Sequence, residues 1–298
     1  MQFVSGDWGT SNFRLRLVDE TVVREVRTDE GTAKLAAQGG DRVEAFRSTL
    51  ARGLEQLKAP ASAPVILSGM ASSSIGWKEL PYAKLPFSLD GRDAVWEKID
   101  GRVYLISGLR SATDVLRGEE TETLGLIASL GREMPFEAVL ILPGTHSKHL
   151  DVNPGGIASF RTFMTGEIFD VLSRQSVLRH STDPSAPFDR AAFLEGVEES
   201  MRRPLTSALF RVRTRQVLDR RDAPSNTSFL SGLLIGAELG SLRGTAVPVI
   251  VAAGERLRAS YAAAAEVMGF AEGFRAVDSE ALPVLGHRIL LQKILSGK

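Results

Sequence analysis

Leu140-Ile141-Leu142-Pro143-Gly144-Thr145-His146-Ser147-Lys148-His149 decides the fold, because it repeats a pattern already present at Phe3-Val4-Ser5-Gly6-Asp7-Trp8-Gly9-Thr10-Ser11-Asn12. Both stretches run from β-type apolar residues into a Gly-Thr turn. A second β-type run then follows at once, Phe13-Arg14-Leu15-Arg16-Leu17-Val18 in the first copy and His149-Leu150-Asp151-Val152 in the second. The repeat reads as a duplicated β-hairpin. A Gly-Thr/Ser tip lets backbone N–H groups approach an anion closely while its hydroxyls add donors, so each tip is a candidate phosphate cradle. The residues in question are Gly9, Thr10 and Ser11, then Gly144, Thr145, His146, Ser147 and Lys148. Two such cradles facing each other across a cleft would hold a nucleoside triphosphate.

Working outward, the first half reads as strands near 2–6, 13–19 and 22–27, then a helix on which Val43, Phe46, Leu50, Leu54 and Leu57 fall three or four apart. A strand at Val65-Ile66-Leu67, an irregular segment from Gly69 to Pro86, a strand at 103–106 and a helix over 112–130 follow. Ser111 with Asp114 gives that last helix its start signal. The second half begins with strands near 139–142, 149–152 and 157–163. Helices are expected at 167–178, 190–218 and 226–243, then a strand at 247–252, a helix at 255–268, a strand at 274–277 and a helix at 282–296. Both halves thus open on three strands and a helix and end on a strand and a helix. The fold class is α/β, with domains expected at 1–134 and 135–298 and a helical insertion in the second.

The chain has 298 residues, 43% of them apolar, enough for two substantial cores. Thirty-six basic residues balance 36 acidic ones, so no global field favours nucleic acid or an anionic membrane. Cysteine is absent, which excludes disulfides and thiolate chemistry. No apolar run approaches 18 residues and no leader pattern opens the sequence, so a cytoplasmic, soluble protein without a membrane partner is expected. A homodimer is left open.

At the tip of the first strand, Asp7 is a candidate ligand for Mg²⁺, set against an Asp that merely caps its own turn. Arg14, beside that tip, is suited to pair with a substrate carboxylate, and equally to stand solvated on a strand. Glu119 and Glu120 fall within or beside the apolar arc of the expected 112–130 helix. A partly desolvated carboxylate there has a raised pKa and can serve as general base. The alternative is a surface pair favoured by the helix macrodipole. Lys148 and His146 offer positive charge to a transferring group. Only His180 and His287 remain beside His146 and His149, so zinc is disfavoured.

These residues carry a family resemblance. Asp7 to Arg14, Leu67-Ser68-Gly69-Met70-Ala71-Ser72, Arg117-Gly118-Glu119-Glu120-Thr121, Leu142 to His149, Phe163 to Phe169 and Ser231 to Glu238 occur in one order over most of the chain. In them the sequence resembles the 2-dehydro-3-deoxygalactonokinases, sugar kinases of the duplicated ribonuclease H-like/actin-like ATPase fold. The Pro-Gly-Thr-His-Ser-Lys-His string is the specific element. Glu122 and Leu150 depart from a pattern that often has Gln and Trp at those positions.

The resemblance implies ATP-dependent phosphorylation of the 6-hydroxyl of a 2-keto-3-deoxy sugar acid, with Glu119 or Glu120 as base and the second turn on the β- and γ-phosphates. It places the sugar acid near Ser72 to Trp77 and at Thr165, Gly166 and Glu167. The adenosine falls near Gly232, Leu233, Gly236 and Gly254. For Gly232 and Gly236, four apart, close helix packing is an equal alternative. The competing functions are a kinase for the gluconate epimer, an exopolyphosphatase-like hydrolase and a nucleotide-gated scaffold. No Walker or Gly-x-Gly-x-x-Gly motif follows a strand.

Overall fold

The computed structural model describes residues 1–270 and 273–297. It contains two compact units. One comprises 1–136, 152–160 and the chain from Ser279 onward; the other comprises 137–151 and 161–278.

In the first unit, β1 (Phe3–Trp8) and β2 (Phe13–Val18) form the predicted hairpin, in register from Phe3 opposite Val18 to Trp8 opposite Phe13. β3 (Val22–Thr28) extends it, and the chain returns through α1 (Thr32–Ala37) and α2 (Arg42–Gln56). The Asp41 carboxylate accepts from Glu44 N–H at 3.2 Å and caps α2, whose Phe46 and Leu50 are buried. β4 (Val65–Gly69) then lies parallel to β1 on its other side.

Next come β5 (Ala83–Lys84), β6 (Trp96–Asp100), β7 (Val103–Ile106), β8 (Leu109–Arg110), β9 (Val115–Leu116) and α3 (Glu119–Leu130). The main sheet runs β3-β2-β1-β4-β7-β6. Its core centres on Trp8, stacked on Phe13 with ring centroids 3.7 Å apart.

The rest of the chain repeats the scheme around a second sheet. β10 (Ala138–Leu142), β11 (Ser147–Asn153) and β12 (Gly156–Phe163) lead into α4 (Thr165–Arg174), α5 (Arg190–Arg202), α6 (Leu205–Ala208), α7 (Arg211–Asp219) and α8 (Ala223–Gly240). β13 (Val249–Ala253), α9 (Glu255–Val267) and β14 (Phe274–Asp278) follow, and α10 (Leu282–Ser296) ends the chain. The sheet order is β12-β11-β10-β13-β14, the order of the first sheet without its edge strand.

Several elements differ from the sequence reading, each for a local reason. Helix α3 begins at Glu119 rather than 112, because Gly118 sits at φ +101° and the preceding residues make a turn and β9. The Ser111 hydroxyl caps that turn, accepting from Asp114 N–H at 2.9 Å, and not a helix. The expected 190–218 helix is interrupted by Pro204, before which Arg203 is extended. α1 and β6 were not anticipated. The terminal helix, read as part of the second domain, belongs to the first unit. It packs along α3, and His287 Nδ1 lies 2.7 Å from Ser5 Oγ on β1. Burial pushes His287 down to about 3, so it stays neutral there.

Candidate active site

The parallel strands β1, β4 and β7 of the first unit end side by side, the edge where open α/β sheets bind ligands. Two glycines shape this edge. Gly69 closes β4 at φ +84°, and a Cβ there would lie 2.7 Å from the Trp8 carbonyl oxygen and 3.3 Å from Asp7 Oδ1. Gly118 sits at φ +101°, and a Cβ on it would be in ordinary contact with Gly69 Cα at 3.5 Å. Their close approach brings the start of α3 to Asp7.

Four carboxylates, Asp7, Glu119, Glu120 and Glu122, therefore share one field. Glu120 is 1% exposed. Its Oε2 accepts Gly118 N–H at 2.7 Å and its Oε1 accepts the Thr121 hydroxyl at 2.9 Å. Burial, reinforced by the charge of Glu119, pushes it up to about 7 against those hydrogen bonds. Glu119 is only partly buried and accepts Arg117 N–H at 2.8 Å. Burial also raises Asp7, opposed by Arg14 and Arg16. Glu122 is held well above the carboxylate range by burial and then by Asp7, Glu119 and Glu120, with Arg14 opposing.

The sequence reading singled out Asp7, Glu119 and Glu120 and treated Glu122 only as a departure from a pattern. Its spacing of three from Glu119 on a helix was the available signal.

Arg14 is partly buried in a cluster of charges. Its Nη1 lies 3.4 Å from Glu280 Oε1, an oxygen that also takes Arg16 and, at 3.0 Å, Arg27. It balances carboxylates of the protein itself. Thr10 and Ser11 are exposed at the first turn, where Gly9 N–H donates to Asn12 O at 2.8 Å. The N–H groups of Thr32 and Ala33 donate to the carbonyls of Gly9 and Thr10, both at 3.0 Å, so these α1 amides are committed to the turn. Ser72 is buried near the same edge and accepts Arg117 Nη1 at 2.7 Å. Trp77 is not available to substrate. It is 5% exposed, inside the core against Trp8 and Phe46, because a large apolar ring gains more from that cluster than from a wet loop.

In the second unit, Gly144, Thr145 and His146 are exposed at the turn. Glu167 N–H donates to the Thr145 carbonyl at 2.9 Å, and the Glu167 carboxylate meets His146 Nε2 at 2.5 Å, so these predicted residues are brought together. Ser147 and Lys148 face inward. Ser147 Oγ donates to Glu238 Oε1 at 2.7 Å, and Lys148 Nζ to Thr162 Oγ1 at 2.8 Å. Glu238, itself buried, also accepts from His149 Nε2 and Tyr261 OH, each at 2.9 Å, and from Thr165 Oγ1. Burial and then the Glu238 charge hold Tyr261 well above its ordinary value, keeping it a donor. The hydroxyls of Ser147 and Thr165, read as ligand contacts, thus hold the turn from behind. Glu238 was missed, since a lone Glu in an apolar helix carries no sign of its partners.

Two of the adenosine candidates are packing residues. A Cβ on Gly232 would lie 2.0 Å from the Phe193 carbonyl oxygen, and one on Gly236 2.3 Å from Ser200 Oγ, so both glycines admit α5 against α8. Leu233 is fully buried in the adjoining core. Gly254 differs: it is the exposed N-cap of α9, with open space where a Cβ would stand.

Two units built on one strand order, each with a Gly-Thr hairpin, define the duplicated actin-like ATPase fold. The same fold is seen in the activator of the 2-hydroxyisocaproyl-CoA dehydratase from Clostridium difficile with bound ADPNP. That structure has a TM-score of 0.52 at 13% identity over 100% of this chain and 97% of that one, a likeness of fold alone.

Within the fold, the family model of 2-keto-3-deoxy-galactonokinase matches residues 7–286, and the chain belongs to that family. It is 31% identical over 277 residues to the 2-dehydro-3-deoxygalactonokinase of Escherichia coli (strain K12), covering 90% of each protein. It is 37% identical over 257 residues to a probable 2-dehydro-3-deoxygalactonokinase, DgoK1, of Rhizobium meliloti (strain 1021), covering 82% of this chain and 81% of that protein. A crystal structure of a Sinorhizobium meliloti protein assigned as a 2-dehydro-3-deoxygalactonokinase superposes with a TM-score of 0.85. That match has 34% identity and covers 98% of this chain and 99% of that one. The chain is accordingly a carbohydrate kinase that uses ATP.

Proposed function

We propose that this kinase transfers the γ-phosphoryl group of ATP to the 6-hydroxyl of 2-dehydro-3-deoxy-D-galactonate, giving the 6-phosphate and ADP. The observation that carries the reading is the carboxylate cluster built around Asp7 at the start of α3. Phosphoryl transfer asks mainly for positioning and neutralisation of charge, plus a group that takes the proton of the attacking hydroxyl. Glu119 is the base in this reading: it is the member of the pair with surface to offer a hydroxyl, whereas both oxygens of Glu120 are engaged inside the protein. Glu120 fixes the turn that presents Glu119.

Among the described residues no group of three His, Asp or Glu side chains could hold a metal ion. Mg²⁺ that arrives on nucleotide phosphates needs only one or two protein carboxylates, and partly buried Asp7 suits one of them. When bound, the ion would neutralise developing phosphate charge. The exposed Gly144 and Thr145 supply donors to the phosphates, with His146 beside them, and Gly254 leaves room at the start of α9 for the nucleoside. No helix among the described residues is long and apolar enough to cross a membrane. A cytoplasmic enzyme acting on small molecules is the setting we propose.

The test is ADP release, measured by coupled assay with the galactonate-derived acid, its gluconate epimer, polyphosphate and no acceptor. Release that requires the galacto acid, with the product phosphorylated at position 6, is the expected result. Faster turnover of the gluco epimer would move the substrate. Phosphate release from polyphosphate without sugar would replace the kinase by a hydrolase.

A further inference from the structure

Arg117 is a cation of the first unit prepared to receive an anion. Its guanidinium is partly buried, yet among the described residues it forms no ion pair. Its partners are neutral: Nε donates to Tyr82 OH at 3.1 Å, Nη1 donates to Ser72 Oγ at 2.7 Å, and the Tyr82 ring lies 4.0 Å from Cζ. The stem is fixed as well, since a Cβ on Gly108 would come within 2.6 Å of Arg117 Cγ. Just before Gly108, Ser107 is buried with a hydroxyl that no described group engages. A guanidinium held on three sides by uncharged groups keeps its charge unneutralised, and donors remain on its fork for a planar, bidentate carboxylate. Arg14, by contrast, is already matched to carboxylates of the chain.

The position suits one substrate end. Arg117 N–H is bonded to the Glu119 carboxylate, while the side chain leads away to Tyr82 and Ser72. The carboxyl carbon and the sixth carbon of an extended six-carbon acid stand about 6 Å apart, taking roughly 3.5 Å per three bonds. An arginine side chain reaches a comparable distance from its backbone. We infer that Arg117, braced by Tyr82 and Ser72, binds the carboxylate of the 2-keto acid whose far hydroxyl reacts at Glu119. This deepens the kinase reading and rests on it for the identity of the acid.

Two measurements test it on the full chain: steady-state kinetics, and calorimetric binding without turnover. Each compares the sugar acid with its uncharged carboxamide. Wild type should prefer the acid roughly 10- to 100-fold, the scale of a charge-assisted pair. Arg117→Gln should bring acid and amide to within about threefold. Its KM for ATP should stay put and its circular dichroism should match wild type. Arg117→Lys should restore part of the preference, since it keeps the charge and loses the fork. Arg14→Gln should leave the preference intact. A preference that survives Arg117→Gln, or acid and amide weakened equally by it, would overturn the assignment. So would a preference abolished in Arg14→Gln. Wild type that binds the acid without releasing ADP would defeat the kinase reading alone, leaving Arg117 to be judged by calorimetry. Wild type that binds neither compound would defeat the assignment itself.

Discussion

The two Gly-Thr hairpins share a backbone plan and differ in what stands behind them. At the first, four carboxylates share one field, Asp7 on the strand with Glu119, Glu120 and Glu122, opposed by Arg14 and Arg16. The second is braced by a single buried carboxylate, Glu238, that gathers hydroxyls from Ser147, Thr165 and Tyr261 and an N–H from His149. One end of the repeat has gathered carboxylates. The other is braced from within, and its exposed face carries Gly144, Thr145 and His146. Duplication preserved the strand order, and chemistry diverged in the residues just beyond it.

The largest effect should come from removing the proposed base beside the first hairpin. Glu119→Gln keeps size and removes proton acceptance, so kcat should fall by about 10²- to 10⁴-fold with the fold intact. Asp7→Asn should also lower kcat severely while leaving sugar-acid affinity near wild type, because its charge matters most in the transition state. Both are read from steady-state kinetics on the sugar acid and ATP. A Glu119→Gln enzyme at wild-type rate, with Glu120→Gln inactive, would exchange the roles of the pair.

At the braced hairpin the corresponding loss is in stability. Glu238→Ala leaves three hydroxyls and an imidazole N–H without their shared acceptor inside the protein, a cost of about 3–5 kcal/mol. Urea denaturation should show it as a lower midpoint. An unchanged midpoint would mean that the network rearranges around water and that the second turn is not held from behind.

The two regions were unequally legible in the sequence. The hairpins and the order of strands along the chain could be read, because period-two apolar runs and a Gly-Thr turn are local signals, and Asp7, Glu119 and Glu120, singled out separately, come together in one field. Glu238 could not, since its partners lie 91, 89, 73 and 23 residues away. Ser147 and Thr165 were misread for the same reason: a hydroxyl beside a turn looks alike whether it faces a ligand or a buried acceptor. Trp77 was misread, and Gly232 was left between packing and nucleotide contact, because packing decides their role, and packing is set by Phe46 and Phe193, far off in the chain. The start of α3 was misplaced by several residues, since the left-handed Gly118 overrides an adequate helical pattern upstream.

A pH series sharpens the contrast. Glu120 stands at about 7 in the folded protein against an ordinary value of 4.5. The native state therefore holds the extra proton, and stability falls as pH rises from about 4.5 to about 7. Glu120→Gln removes that titration. It should gain up to about 3 kcal/mol over wild type at pH 8, and the gain should disappear below about pH 4.5. Thermal denaturation of both proteins across that range checks it. Equal pH dependence in the two would show that Glu120 is already ionised in the native protein.

The smallest expected effect lies at the exposed tip of the braced hairpin. The Thr145 carbonyl is engaged by Glu167 N–H, so the backbone of the turn should survive loss of the side chain. Thr145→Ala removes one hydroxyl donor and no packing inside the protein, since Thr145 is exposed. The loss should be about 1 kcal/mol in kcat/KM for ATP, with unfolding unchanged, the net worth of one hydrogen bond. Because the hydroxyl would meet the nucleotide rather than the sugar acid, KM for the acid should not move. A fall confined to the acid would place the sugar at this turn. A fall in stability without a kinetic effect would make the residue part of the brace.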